Sequence, residues 1–296
     1  MQDQYQKKAK RKLITVILYL LLLIGCTLFL KGQNSERVIE DDVLELHFLS
    51  LKKADCILVR TGKKAMLIDA GWKDTKRQVA DYLKKQGIKR LDYVVATHGD
   101  EDHVGGMEEV LRKFQVETLF ISPKNESNKD YQAMIGRAKK RQTKIVIPKV
   151  PSEISFGNAK IKILAPGTAA LADGQTNNSS LVLYITFGSR NFLFMGDALK
   201  ESEAEILKKG YEIQADVLKV GHHGFSDATT EAFLEAVAPK LAVITCEKKQ
   251  AQDGANKFGR IEPMLKEKKI ELYYTGDGTL LLSCDGEKIE VQHDTK

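Results

Sequence analysis

The stretch THGDEDHVGG, Thr97 to Gly106, places two histidines and three carboxylates in six consecutive residues and follows them with a glycine pair. Imidazole and carboxylate together are ligands for divalent transition metals, so the stretch reads as a ligand set or as a solvated acidic turn. The chain has six histidines, His47, His98, His103, His222, His223 and His293, and four of them fall in THGDEDH and GHHG. Each motif directly follows an apolar run, LDYVVAT in one case and ADVLKV in the other. Two further apolar runs, NFLFMG and AMLI, end in Asp197 and Asp69. Four strand ends finishing in Asp or His, with histidine scarce elsewhere, favour one shared metal cleft over four unrelated turns, because functional groups gather on loops held by a rigid scaffold. The glycines of HVGG, DAG and HHG let backbone crowd against such a cleft. His47 and His293 lack that company and read as ordinary core or surface residues.

Metal-held water loses a proton near neutral pH and attacks an electrophile, so the constellation points to hydrolysis. No side-chain nucleophile competes: G-x-S-x-G is absent, and Cys246 has no histidine near it in sequence. Asp102 or His223 is the candidate for assisting proton transfer.

The elements that must position these residues follow from periodicity. Strand-like runs come first, at 43–49, 56–61 and 65–70, with TGKK turning between the last two. From about residue 75 helical and strand patterns alternate: a helix before strand 91–97, a helix from Val104, strand ETLFIS and a helix near 129–140. The second half repeats the style, with strands 180–187 and 191–196 around a tight turn, then a helix near 199–209. Strand 215–220, helix 228–238 and strand 241–246 come next, and ELYYTG with TLLLSCDG is expected to close the chain as a hairpin. Two β-rich halves, each covered by helices, predict an α/β fold of αββα sandwich type within one domain, 43–296. A doubly wound parallel sheet is the alternative, disfavoured by the short hairpins.

Of 296 residues, 43% are hydrophobic, ample for a large core. The net charge of +6 is concentrated at the start: residues 1–12 carry +4, leaving +2 for the remainder, so bulk charge does not argue for a polyanionic partner. That basic tail runs into 18 uncharged residues, 13–30. At 1.5 Å per residue they cover about 27 Å, enough for a bilayer core. The flanking charges keep the N-terminus cytoplasmic and place the rest outside, behind a polar linker at 31–42. A retained single-pass anchor in the cell membrane is the favoured reading. LIGC, Leu23 to Cys26, is similar to a lipobox and keeps open a lipoprotein through Cys26, and ordinary cleavage is the third outcome. Cys56, Cys246 and Cys284 are odd in number and widely spaced, so they read as buried thiols rather than a disulfide framework.

THGDEDH resembles the H-x-[HD]-x-D-H signature of the metallo-β-lactamase fold, and LIDAG, NNSSLVL, FLFMGDA and LKVGHHG fall in that family's order from about Leu46 to about Leu282. The subgroup it most resembles is the hydrolase domain of competence-type DNA-uptake proteins, the ComEC/Rec2 group. The resemblance implies a two-metal site holding Zn or Mn. His98 and Asp100 would serve the first ion, Asp102, His103 and His222 the second, with Asp197 bridging and Asp69 as a structural or orienting aspartate. His223 would then face the substrate, and the two neighbours could be exchanged. Many relatives have a further histidine between the motifs, and here Asn177, Asn178 or Ser180 of TNNSSLVL, or water, must stand in. Those three, with Lys219 and Arg260, are the candidate substrate contacts. Arg260 sits in KFGRIEP, where the subgroup often has a Tyr-Gly-His-Pro-like turn, and FLSLKKADC lacks the usual Asp and Gly residues. Asp100 in place of imidazole makes the first site oxygen-rich, which tilts it toward manganese, although affinity order alone favours zinc.

Three functions are open at this point. The first is a phosphodiesterase or nuclease acting on DNA or another extracytoplasmic phosphodiester, with GRAKKRQTK, 136–144, able to follow a phosphate backbone. The second is a metallo-hydrolase of a β-lactam, an ester or a cell-wall phosphoester. The third is a membrane-tethered DNA receptor in which the metals only staple the fold.

Overall fold

The computed structural model describes Thr15, Tyr19 and residues 39–124, 127–251 and 259–295. The tail, the apolar run 13–30 apart from those two residues, Cys26 and most of the linker lie outside the described residues. Among the described residues no helix is long and apolar enough to cross a membrane. Residues 39–42 already pack onto the domain. Ile39 is buried, the Val43 and Gly62 amides donate to the Glu40 carbonyl, and Asn158 donates to the Asp41 carbonyl.

Two sheets stack face to face. The first contains β1 (Leu44–Phe48), β2 (Ile57–Thr61), β3 (Lys64–Ile68), β4 (Arg90–Ala96), β5 (Gln115–Ile121), β6 (Lys144–Val146), β14 (Gly278–Cys284) and β15 (Ile289–Thr295). Their spatial order is β15-β14-β1-β2-β3-β4-β5-β6. The second contains β7 (Ser152–Phe156), β8 (Ala159–Ala165), β9 (Val182–Phe187), β10 (Arg190–Phe194), β11 (Val217–Lys219), β12 (Leu241–Ile244) and β13 (Glu271–Tyr274), in the order β13-β12-β11-β10-β9-β8-β7.

The facing sides bury Leu46, Phe48, Val59, Ile68, Ile161, Ile185, Phe192, Phe194 and Leu282. The outer side of the first sheet packs helices 76–85, 107–113 and 129–140 through residues such as Val79, Leu83, Met107, Leu111 and Met134. The outer side of the second packs helices 200–209, 231–237 and 261–267 through Ile206, Phe233, Leu234 and Leu265. The four αββα layers expected from the alternating pattern are therefore present.

Three features depart from that expectation. ELYYTG and TLLLSCDG do not pair with each other. β13 runs parallel to β12 in the second sheet, while β14 crosses to the first sheet and pairs with β1 and β15. Each segment completes a different apolar face, and that burial outweighs the short connection between them. Hairpin β7–β8 and strand β6 had no sequence counterpart. β7 and β8 alternate buried and exposed residues at a sheet edge, where Glu153, Lys160 and Lys162 interrupt the apolar signal.

Pairing direction positions the site. β3, β4 and β5 are mutually parallel, as are β10, β11 and β12, so their C-terminal ends share one edge of the sandwich. Phe194 stacks on Phe48 across the interior, ring centroids 6.0 Å apart, three residues before Asp197. Phe194→Ala is expected to lower stability by about 3–5 kcal/mol, measured as a shift in the urea unfolding midpoint at unchanged slope.

Candidate metal centre

At that edge each strand delivers its polar residue into a dry interior. Asp69, His98, His103 and His223 are fully buried, and Asp197 is 2% exposed. Asp69 accepts from the Thr97 amide at 2.9 Å and the Thr97 hydroxyl at 2.6 Å, and its other contact is His103 Nδ1 at 2.7 Å. Fixing Nδ1 in this way turns His103 Nε2 inward, where it lies 3.2 Å from Asp197 Oδ2. His98 Nε2 lies 3.9 Å from the same oxygen and 3.6 Å from Asp100. His223 Nε2 is 3.3 Å from both Asp197 Oδ2 and Asp102 Oδ2.

Backbone geometry at the site is unusual. Asp69, His222 and His223 all adopt positive φ, +57°, +47° and +53°, a region costly for side-chain-bearing residues that concentrates at functional sites. Gly106 permits a close approach: a Cβ there would sit 2.2 Å from the Ala70 carbonyl oxygen. The Ala70 amide in turn donates to the His103 carbonyl at 2.8 Å, tying the Asp69 loop to the ligand helix 101–104.

Burial opposes charge on all these groups, and mutual attraction outweighs it. His103 and His223 hold Asp197 well below the usual carboxylate range. Asp197 and Asp69 hold His103 well above the usual imidazole range. His223 is pushed up to about 9 by Asp197 and Asp102. Asp102 and Asp55 are held low, chiefly by His223 and Lys219 respectively.

Three groups of described residues offer ligand atoms close enough to share an ion: His98, His103 and Asp197; Asp102, His103 and His223; and Asp55, Asp69 and His103. The Nε2 atoms of His98, His103 and His223 and Oδ1 of Asp197 are buried and lack a hydrogen-bond partner among the described residues. Unpaired buried donors and acceptors are rare in proteins, and three imidazole nitrogens converging on one carboxylate fit a bound divalent cation. Glu101 is exposed and belongs to none of these groups.

Other expectations need correction. The histidine pair exchanges places: His223 occupies the inner position, while His222 sits at the rim with Nε2 3.9 Å from Asp197 and Nδ1 2.8 Å from Asp227. Successive left-handed residues throw the two side chains apart, so only one reaches the interior. Lys219 cannot touch a substrate, because it is fully buried. Its ammonium lies 2.5 Å from Asp55 and donates to the Gly196 carbonyl at 2.8 Å. Asn178 and Ser180 are also fully buried. Asn178 accepts from the Leu199 amide and donates to Asp173 and Glu201, and Ser180 Oγ accepts from the Asp197 amide at 3.1 Å. Asn177 does reach the rim, 3.2 Å from His222 Nε2. Arg260 clamps the loop after GHHG by donating to the carbonyls of Ser226, Ala228 and Thr229, while Phe258 of the same turn lies outside the described residues. In the basic run, Arg137 is paired with Glu108. His47 is buried against Tyr82 and Glu45, and the three described cysteines are free and buried.

Two residues at the site escaped the sequence reading. Asp55 is 1% exposed, 3.4 Å from His223 Nδ1, and Lys53 Nζ is 2.8 Å from Asp102 Oδ2. Both precede β2, which runs antiparallel to β3 with Ile57 opposite Ile68, so its start lies at the edge where β3 ends. A search of strand C-termini alone passes over them.

An αββα sandwich that gathers imidazoles and carboxylates at one edge between its sheets defines a metal-binding class of fold. Residues 51–246 match the Metallo-beta-lactamase superfamily, and the chain belongs to that family. It is similar to ComE operon protein 3 of Bacillus subtilis, 31% identical over 199 residues that cover 65% of this chain and 25% of that protein. It is also similar to Recombination protein 2 of Haemophilus influenzae, 25% identical over 231 residues, 76% of this chain and 26% of that protein. The chain thus spans about a quarter of the length of these curated relatives, which are the competence-type group that its motifs resemble. Among solved structures, a CmlA β-hydroxylase mutant matches with a TM-score of 0.51 at 15% identity, covering 78% of this chain and 52% of that one. At that identity the likeness concerns the fold alone.

A ligand imidazole must be neutral to bind a metal, whereas His103 and His223 hold their protons above neutrality in the metal-free site. Loading therefore releases protons, and metal affinity is expected to rise with pH from 7 toward about 9, the value reached by His223. The raised pKa has the opposite effect on the metal-free fold. Its stabilisation is complete below the unfolded value of about 6.5 and is lost as pH rises through the folded value. Calorimetry of metal binding in buffers of different ionisation heat counts the protons, and a count of zero at pH 7 contradicts the expectation.

Proposed function

We propose that this domain is a metal-dependent phosphodiester hydrolase, held on the outer face of the cell membrane by residues 13–30. The observation that carries the reading is the convergence of three buried, unpartnered imidazole nitrogens on Asp197. In this reading His98, His103 and Asp197 would hold one divalent ion, with Asp100 at the rim, and Asp102 and His223 would serve a second. When bound, the ions supply an acidified water and positive charge at the attacked and leaving oxygens.

The chain's own residues do the rest. Asp69 fixes His103 through Nδ1, and Ser180 fixes the backbone of Asp197. His222, half-buried at the mouth and hydrogen-bonded to Asp227, is placed to hold or pass a proton at Nε2, the role first assigned to its neighbour. Lys53 is 27% exposed beside Asp102 and lies 5.2 Å above the Phe225 ring, where its ammonium can meet a phosphoryl oxygen. The phosphodiester preference rests on the competence-type relatives and on Lys53 at the rim beside Asp102. DNA is the natural candidate within that class, and either zinc or manganese suits the donors.

The full-length protein purified without chelators is expected to contain a bound transition metal and to hydrolyse bis(p-nitrophenyl) phosphate or single-stranded DNA, but not a β-lactam. Absence of bound metal contradicts the reading, and β-lactam turnover without phosphodiester turnover moves it to the other hydrolase class. Asp197→Ala is expected to lower both metal content and rate by more than the roughly 10–100-fold typical of losing an outer partner of a ligand.

A further inference from the structure

Asp55 and Lys219 form a buried charged pair that none of the roles above uses. Asp55 Oδ2 is 2.5 Å from the Lys219 ammonium, and Asp55 Oδ1 faces His223 Nδ1 at 3.4 Å with no hydrogen-bond partner among the described residues. Thr245 Oγ1 lies 2.8 Å from the same Nδ1. Lys219 extends the network by donating to the Gly196 carbonyl at 2.8 Å, and its Nζ lies 3.7 Å from Asp197 Oδ1. The backbone of Asp55 is anchored as well. Its amide donates to the Asp102 carbonyl, and its carbonyl accepts from the Gly71 amide at 2.9 Å. The pair thus touches the Asp69 loop, the ligand helix, the end of β10 and the GHHG turn.

We propose that Asp55 and Lys219 act as one positioning unit for the metal centre: Lys219 fixes Asp55, and the Asp55 carboxylate, 3.4 Å from His223 Nδ1, backs the Thr245 contact there with negative charge. A polar partner on one imidazole nitrogen fixes the tautomer and directs the other nitrogen to the metal. At His103 that partner is the Asp69 carboxylate at 2.7 Å; at His223 it is the Thr245 hydroxyl at 2.8 Å, with the Asp55 carboxylate at 3.4 Å supplying the charge. Asp55 differs in needing a fixed cation, because it sits 1% exposed in one cluster with the Asp69 carboxylate. Lys219, on the last position of β11, supplies that cation from within the fold rather than from solvent.

The inference rests on the proposed metal centre, and cobalt(II) binding to the full-length protein tests it. Asp55→Asn keeps side-chain volume and a hydrogen-bond acceptor for Lys219 but removes the charge facing His223. It is expected to weaken cobalt affinity by about 10–100-fold and to shift the visible d–d bands, with unchanged circular dichroism. Lys219→Met alone strands a buried carboxylate and threatens folding, so it is measured together with Asp55→Asn. Because the two residues act as a unit, the double variant is expected to bind cobalt no more weakly than Asp55→Asn. Wild-type affinity and spectrum in Asp55→Asn overturn the inference alone, and additive losses in the double variant overturn the unit. A wild-type protein that takes up no cobalt removes the metal centre and this inference with it.

Discussion

The structure turns on one carboxylate. Asp197 is buried, yet four imidazoles and an ammonium lie within 4 Å of it. A buried charge without company costs several kcal/mol, so this aspartate can exist only if elements from both halves of the chain arrive around it. That requirement explains the architecture. The His98 and His103 loop belongs to the first sheet, while Asp197, Lys219 and the GHHG turn belong to the second. The hydrophobic interior shared by the sheets, with Phe48 against Phe194, keeps the two edges in register. Each ligand then needs only a local brace, which Thr97, Ser180, Asp69 and Asp55 provide.

Much of this was legible in the residues. Histidine scarcity and four apolar runs ending in Asp or His located the edge, and strand–helix alternation predicted the layers. The unreadable part has physical causes. Strand polarity is not written in a single segment, so the contribution of residues before an antiparallel strand, Asp55 and Lys53, could not be separated from ordinary loop composition. Side-chain direction in the GHHG turn depends on two consecutive left-handed residues. Sequence favours glycine there, and glycine flanks the histidines instead of replacing them. Lys219 misled for the opposite reason. A lysine beside a metal motif suggests an exposed contact for an anion, and only tertiary packing shows that the available anions are internal.

The site also shows how a fold handles dense charge. Three of its residues, Asp69, His222 and His223, keep left-handed backbone that would relax if the surrounding contacts were absent. The Arg260 clamp on the loop after GHHG, and Glu203 accepting from the Thr229 and Thr230 amides, hold the turn from its far side. Lys219, Asn178, Ser180 and Arg260, expected as substrate contacts, are therefore parts of the frame, while Lys53, Asn177, His222 and Phe225 stay partly exposed at the rim.

The placement of β1 between β2 and β14 has a consequence for biosynthesis. Leu46, made early, finds its partner Leu282 only when nearly all of the described chain has left the ribosome. Until then the first sheet has an open edge along β1, which is paired on its other side by β2. Asp55 and Asp102 gain their partners before β14 closes that edge, because Lys219 and His223 precede it in the chain. Sheet closure along β1 therefore depends on contacts of long sequence separation, the kind that slows folding.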